Sequence, residues 1–288
     1  MISTLPPRFR RRKAFDALGR TVAVLAVMLA LIPLGAMIFY VLQQGAGSLN
    51  LNFFTADALG LGQPGGGYHA MIIGTLLLIG VSSVIGIPIG LLSGIHLAGR
   101  GQTRFAQTVR FVTDVVAGTP SIIAGILAFA LIVEATGSFS ALAGGVALAL
   151  LMFPTVTRAT EAAIAAVPSE IREASLALGA SEWKTMLRVI LPAAASGVVT
   201  AIILGVARVA GETAPLVFTV GYSQFTSTNI FGQIGTMPVQ IWDQAQSAYP
   251  NDIHQAWAGA FVLFMLILVL NLLARLLTYR LTRRVQNA

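Results

Sequence analysis

Cysteine is absent from the 288 residues. That excludes disulfides, thiolate metal centres and cysteine nucleophiles, and says little about compartment. Histidine is nearly absent: His69, His96 and His254 stand far apart, with no metal-ligand spacing. Charged residues make up only 10% of the chain, against roughly a quarter in a soluble domain. The G-x-x-x-x-G-K-[ST] pattern of nucleotide-binding loops does not occur, and no constellation in the sequence reads as an enzyme's.

What is present is hydrocarbon. Hydrophobic residues reach 56% and mean hydropathy is +0.81, which places the chain among integral membrane proteins. A helix crossing a bilayer needs about 20 largely apolar residues. Thr21–Leu42, Met71–Leu97, Phe111–Val133, Phe139–Val156, Ala193–Val220 and Ala256–Leu277 meet that requirement. The fold class is therefore all-α, a polytopic membrane protein with six transmembrane helices. The short fourth stretch adjoins the third through residues 134–138, as a tight helical hairpin. The two halves share neither loop lengths nor charge pattern, so the internal repeats of secondary transporters are not evident.

Lys and Arg orient the spans. Six lie within residues 1–20, three between Arg100 and Arg110, four between Arg158 and Arg188 and four from Arg275 onward. All fall on one side of a six-span chain, whereas loops 43–70, 134–138 and 221–255 contain none. By the positive-inside rule both termini are cytoplasmic. The net charge of +7 thus reflects topology and contact with anionic membrane lipid, not nucleic acid. Residues 1–20 read as a basic cytoplasmic tail, 21–43 as the first transmembrane helix and 44–69 as an external loop. Residues 70–278 form a core of five helices with a cytoplasmic loop at 158–192, and 279–288 a second tail. The apolar run after Arg20 is too long for a cleaved signal peptide. Gly86, Gly90 and Gly94 make a flat stripe on the second span where another helix can approach, and Pro88 predicts a kink there.

Two places break the oily pattern. The first is the loop from Arg158 to Pro192, with four residues of each sign: Arg158, Glu161, Glu170, Arg172, Glu173, Glu182, Lys184 and Arg188. Hydrocarbon cannot host it. Ser169 is a plausible N-cap, with Glu170 and Glu173 complementing the helix dipole. Ile171, Ala174 and Leu178 share one edge, and Gly179 closes the helix. Ser181 can cap a second helix, on which Trp183, Leu187, Ile190 and Leu191 recur at helical spacing. Two short amphipathic helices suit a groove on a cytoplasmic partner; an interfacial lipid-bound helix is the alternative, which four acidic residues oppose. The second break is Arg208 in the fifth span with Glu212 at i+4. A charge at mid-bilayer costs about 2.5–3.5 kcal/mol on insertion scales, so the pair should line a pathway or brace an interhelical seam.

Elsewhere Arg110 and Asp114 read as an interfacial i,i+4 salt bridge, and His96 and Glu134 as solvated. The loop 221–255, with Tyr222, Phe225, Trp242 and Tyr249, fits an interfacial aromatic belt or a docking surface equally well.

Two motifs carry a family resemblance. Glu173-Ala174-Ser175, then Gly179, then Val189-Ile190-Leu191-Pro192 resembles the E-A-A-x3-G-x9-I-x-L-P loop of ABC-importer permeases, with Ser175 and Val189 as mild departures. The resemblance implies the type I ABC-importer permease fold. It also implies an ATPase-coupling role for Glu173, Ala174, Gly179, Trp183, Leu187, Leu191 and Pro192. Arg208-x-x-Gly211-Glu212-Thr213-Ala214-Pro215-Leu216-x-Phe218-Thr219 resembles the signature of the phosphate-specific importer's PstA-type permeases, Val217 replacing a Leu. Thr119-Pro120-Ser121-Ile122 and Met237-Pro238-Val239-Gln240-Ile241-Trp242 resemble the same subunit type. The implied function is inward phosphate transport across a bacterial inner membrane, with Arg208, Glu212 and Thr213 on the substrate path. A PstC-like permease partner, two PstB-like ATPases holding ATP and Mg, and a PstS-like phosphate-binding protein complete the implied assembly, leaving this chain no cofactor of its own. A permease for sulfate or molybdate, an ATP-independent channel or carrier, and a scaffold without a pathway are the competing readings.

Overall fold

A polypeptide this apolar satisfies its backbone within helices, and no strand forms among the described residues. The structure, a computed structural model, describes residues 7–60, 62–100 and 103–286. Helix α1 (Pro7–Gly45) is followed by the short α2 (Leu51–Thr55) and by α3 (His69–Arg100). Next, α4 (Arg104–Ala117) turns into α5 (Ser121–Ala128), which passes through a π-helical segment, Phe129–Val133, into α6 (Glu134–Thr136). Helix α7 (Ala141–Ala165) leads to α8 (Ser169–Ala177) and α9 (Glu182–Thr185), then a second π-helical segment (Met186–Ile190), α10 (Leu191–Ala193) and α11 (Ala195–Val209). The chain ends in α12 (Ala214–Val217), α13 (Met237–Ala245) and α14 (Pro250–Gln286).

Four of these helices are long and apolar enough to cross a membrane, or six if each of two bent pairs counts as one span. The bent pairs correct two expectations. The third span is not a straight Phe111–Val133 rod; it starts at Arg104 and bends by 104° between Ala117 and Ser121. The fifth is not one helix from Ala193 to Val220. It bends by 74° at Ala194 and ends at Val209. At the first bend the cause is local: Pro120, just before α5, cannot donate to a helical ladder. Both tails prove helical where described, as extensions of α1 and α14, and α3 continues unbroken through Pro88.

The centre is a three-helix seam of α3, α7 and α11. Leu78, Leu148, Met152, Val156 and Val209 are buried there. Without hydrocarbon–water contrast to drive them together, helices in a bilayer associate by close packing of small residues. The glycine stripe of α3 does this: a Cβ on Gly86, Gly90 or Gly94 would lie 3.1, 2.7 or 2.7 Å from atoms of α7. Gly205 of α11 meets the same helix from another side, where a Cβ would lie 2.5 Å from the Val156 Cγ2. Val156, itself fully buried, is thus keyed between two glycines of two different helices.

The side of the molecule opposite the Lys/Arg-rich side is laced together by polar contacts. Tyr68 donates to Gln244 Oε1, Gln244 to Gln255 Oε1 at 3.4 Å, and Gln255 to the Gly65 carbonyl. Burial pushes the Tyr68 phenol upward, so it stays a donor. Asp252, buried at the start of α14, accepts from the Gly62 amide at 3.0 Å and the Ser247 hydroxyl at 2.6 Å. Met237 and Gln240 of the M-P-V-Q-I-W stretch are buried, and the Met237 amide donates to Thr75 Oγ1 at 2.9 Å. Most of that motif therefore anchors α13 on α3.

Candidate functional site

Arg208 lies in the last turn of α11, about 20 Å along that helix from Ala195 at 1.5 Å per residue. Ala201, Gly205 and Val209 bury one stripe of α11, whereas the adjoining stripe, Thr200, Leu204 and Arg208, is exposed. The helix ends one residue later, so Glu212 does not continue on the Arg208 face as i,i+4 spacing implied. Its amide instead bonds to the Val209 carbonyl at 3.2 Å in a turn. Among the described residues Arg208 and Glu212 form no ion pair within 4.0 Å. The half-exposed Thr213 opens α12, its carbonyl accepting from the Leu216 amide at 3.0 Å. Pro215 seals the break from behind: a Cβ on Gly125 would lie 2.6 Å from its Cα, so α5 packs directly on α12. Thr119 and Pro120 sit at the other break, between α4 and α5. Both interrupted segments of the membrane domain thereby belong to one packed unit.

An exposed guanidinium beside exposed Leu204, at the end of an apolar helix, cannot face lipid acyl chains without the insertion cost already given. That face requires water or another polypeptide. Set at a helix break, it is a place where an anion can be handled by a bidentate donor that stays charged.

The loop that carries the coupling motif is built inside out. In α8 no residue is buried; Glu173, Ala174 and the apolar edge residues Ile171 (39% exposed) and Leu178 (89% exposed) all face outward. Only Arg172 and Ser175 turn inward, half-buried. In α9 and the π-helical segment after it, Trp183 is 66% and Leu187 38% exposed, while Thr185 and Met186 are buried. Bare apolar groups backed by inward polar ones are what a docking surface requires. Gly179 closes α8 at φ +84°, the left-handed cap expected of it. Pro168, not Ser169, occupies the cap position at the start, without a side-chain cap bond. Ser181 does precede α9, but its hydroxyl makes no cap bond either. Ile190 and Ala194 are buried with Ile164, and the half-buried Leu191 packs against them. Pro192, exposed, lies within α10. These residues join the loop to the membrane core.

Arg158 and Glu161, counted with the loop by composition, belong to α7. Arg110 of α4 donates to Glu161 Oε1 at 2.5 Å, Arg158 to Glu161 Oε2 at 3.2 Å and to Asp114 of α4. Arg110 and Asp114 therefore both reach across to α7. His96 is half-buried: among the described residues its Nε2 is buried without a hydrogen-bond partner, and its ring stands edge-on to Phe105. Glu134 is exposed as expected. Tyr222, Phe225, Trp242 and Tyr249 are all exposed. Tyr222 and Trp242 line a cleft of about 580 Å³ with Phe139, Val217, Gln224 and Asp243. Beside it, Thr226 donates to Asp57 Oδ1 at 2.7 Å, which holds that carboxyl below its ordinary range.

Residues 86–287 match the family described as binding-protein-dependent transport system inner membrane component. The chain is 38% identical over 270 residues to the phosphate transport system permease protein PstA of Haemophilus influenzae, covering 93% of this chain and 95% of that one. It is 35% identical over 284 residues to PstA 1 of Mycobacterium tuberculosis H37Rv, covering 96% and 92%. In fold it resembles a bacterial alginate ABC transporter with a TM-score of 0.63 at 14% identity, covering 96% of this chain and 98% of that one. It also resembles the MetNI methionine ABC transporter in an inward-facing conformation, with a TM-score of 0.54 at 23% identity, covering 75% and 96%. With a broken span ending on an exposed arginine and an inverted amphipathic loop on the basic side, the chain belongs to the binding-protein-dependent transport-system inner-membrane components, among their PstA-type permeases.

Proposed function

We infer that this chain is the transmembrane permease subunit of an ATP-driven importer that moves inorganic phosphate into the cytoplasm. The observation that carries the reading is Arg208. It is exposed at the end of α11, unpaired with Glu212, and set beside a break whose far side is closed by Pro215 against Gly125. A guanidinium binds phosphate bidentately and keeps its charge throughout the physiological range. An ion that must also leave cannot be held too tightly. Glu212, one turn beyond the helix end, competes for Arg208 once phosphate has moved on, and Thr213 offers a hydroxyl at the same break. The relatives' names supply the cargo, and the residues supply a chemistry suited to it.

The basic side of the molecule is then the cytoplasmic side, with both termini on it. ATP and Mg are held by two PstB-like ATPase subunits that seat the outward residues Glu173, Ala174, Leu178, Trp183 and Leu187. A PstC-like permease covers the exposed face around Leu204 and Arg208 and completes the pathway. A PstS-like binding protein delivers phosphate at the aromatic cleft around Tyr222 and Trp242. Nucleotide closure biases a two-state membrane domain through the loop. Uptake by vesicles of the assembled transporter tests the reading. Arg208→Gln removes transport and Arg208→Lys retains a small part of it; near-normal phosphate uptake with Arg208→Gln refutes a role in the path.

A further inference from the structure

The outward side of the coupling loop accounts for docking, but not for how a push on α8 reaches the membrane. Helix α8 has no fully buried residue, so its packing on α9 and on the π-helical segment leaves polar contacts to fix its position. Its two inward groups are both polar, and both have a partner on α9. Ser175 Oγ lies 2.9 Å from Thr185 Oγ1, and Arg172 Nη2 lies 3.8 Å from Glu182 Oε1. The second contact is loose and solvated, with the glutamate side chain 60% exposed, and such pairs contribute little. The first is different in kind. Thr185 is 1% exposed, so its hydroxyl has no recourse to bulk water, and a buried hydroxyl needs a partner.

From Thr185 the path inward is continuous. Met186 follows directly and, with Ile190, Ala194 and Ile164, forms a buried cluster against which Ile95 of α3 and Val198 of α11 pack. The segment Met186–Ile190 is π-helical, a form in which local hydrogen bonding is readily rearranged. Helix α11 begins at Ala195 and carries Arg208. Between α8 and α9 the covalent link runs through Gly179, at φ +84°, and Ala180, a turn with little stiffness of its own.

We propose that Ser175 and Thr185 are positioning residues for transport: their hydroxyl pair clamps α8 to α9, so that the two helices move as one body and deliver the ATPase stroke to α11. The proposal rests on the importer reading above. It also gives a reason for serine at a position where the family motif has alanine: alanine there could not make this bond.

The test uses the complete transporter reconstituted in liposomes with its ATPase subunits and phosphate-loaded binding protein, reading phosphate taken up per ATP hydrolysed. Ser175→Ala and Thr185→Val each lower that ratio about three- to tenfold, the range expected for losing one hydrogen bond at a buried hydroxyl. Both retain assembly with the ATPase, since neither hydroxyl faces outward. Thr185→Ser, which keeps the hydroxyl, retains coupling. The double variant falls no further than either single, because both remove one interaction. A cysteine pair gives an independent reading in a chain that has no other thiol: Ser175→Cys with Thr185→Cys is coupled when oxidised with diamide and uncoupled when reduced. The clamp is refuted by wild-type ratios in both single variants, by Thr185→Ser behaving like Thr185→Val, or by a cysteine pair indifferent to oxidation. Should the alanine and valine variants fail to assemble, the cysteine pair decides. Absence of phosphate uptake by the unaltered transporter refutes the importer reading instead, which keeps the two failures distinct.

Discussion

Val156 provides the sharpest test of how α11 is held. Its Cγ2 would lie 2.5 Å from a Cβ at Gly205, whose next neighbour is Met152 Cγ at 3.1 Å. On the other side, a Cβ at Gly90 would meet Val156 Cβ at 2.7 Å, Cγ1 at 2.9 Å and the Phe153 carbonyl at 3.1 Å. Ordinary carbon–carbon contact is about 3.5–4.0 Å, so either alanine forces a displacement of about an ångström. Overpacking of that size costs about 1–3 kcal/mol, offset by about 0.5–1 kcal/mol for replacing a helical glycine. Gly205→Ala and Gly90→Ala should each destabilise by about 0.5–2 kcal/mol, read as the unfolding midpoint of the detergent-solubilised protein. Val156→Ala alone, losing two methyl groups, costs about 1–2.5 kcal/mol. The double variants separate the geometry from generic damage. Gly205→Ala clashes mainly with a methyl that Val156→Ala removes, so this pair should be more stable than the two single effects add up to. Gly90→Ala clashes with a Cβ that alanine keeps, so rescue there should be partial at best. Equal rescue at both glycines, or none at Gly205, refutes the packing assigned to Val156. Since Gly205 lies one turn before Arg208, phosphate uptake should follow the same order.

Glu161 receives two guanidinium groups while only 18% exposed. Glu161→Gln therefore leaves Arg110 and Arg158 facing one another and should destabilise by about 1–3 kcal/mol, in the same unfolding assay; Arg158→Gln should do less, as a more exposed residue. Trp183→Ala or Leu178→Ser, changed on the outward side of the loop, should abolish co-purification with the ATPase without altering the midpoint of the isolated chain. The Asp57 carboxyl lies below its ordinary value of 3.8, because its ionised form accepts from Thr226. Its contribution is thus present at neutral pH and is lost as pH falls through and below that value. Amide exchange in residues 56–60 and 223–228 should rise there, and Asp57→Asn should remove that pH dependence.

The helical membrane architecture was legible because it follows from one-dimensional quantities. Span length, hydropathy and Lys/Arg asymmetry need no contacts to be read, and Gly86, Gly90 and Gly94 announced a close helix crossing by spacing alone. Gly179 was legible for a similar reason, since a left-handed helix end is a local requirement. Straight spans were a poor guide in two places. Apolarity continues through Gly118–Pro120 and Ala210–Pro215, and hydropathy does not register a backbone that stops donating. The i,i+4 rule paired Arg208 with Glu212 and Arg110 with Asp114. It holds only while the helix lasts, which fails for the first pair, and it ignores competing partners, which α7 supplies for the second.

The sequence by itself determined that this chain lives in a bilayer, where its charged loop falls, and which short motifs depart from hydrocarbon, since all three depend on composition and order along the chain. Only the tertiary structure decided which way those groups face. The apolar edge of α8 points outward, Ser175 and Arg172 point inward, Val156 sits between two glycines, and α11 stops just after Arg208. Each is a matter of what lies across from a residue in space, and the partners stand well apart along the chain, Thr185 from Ser175 and, much farther, Val156 from Gly90 and Gly205.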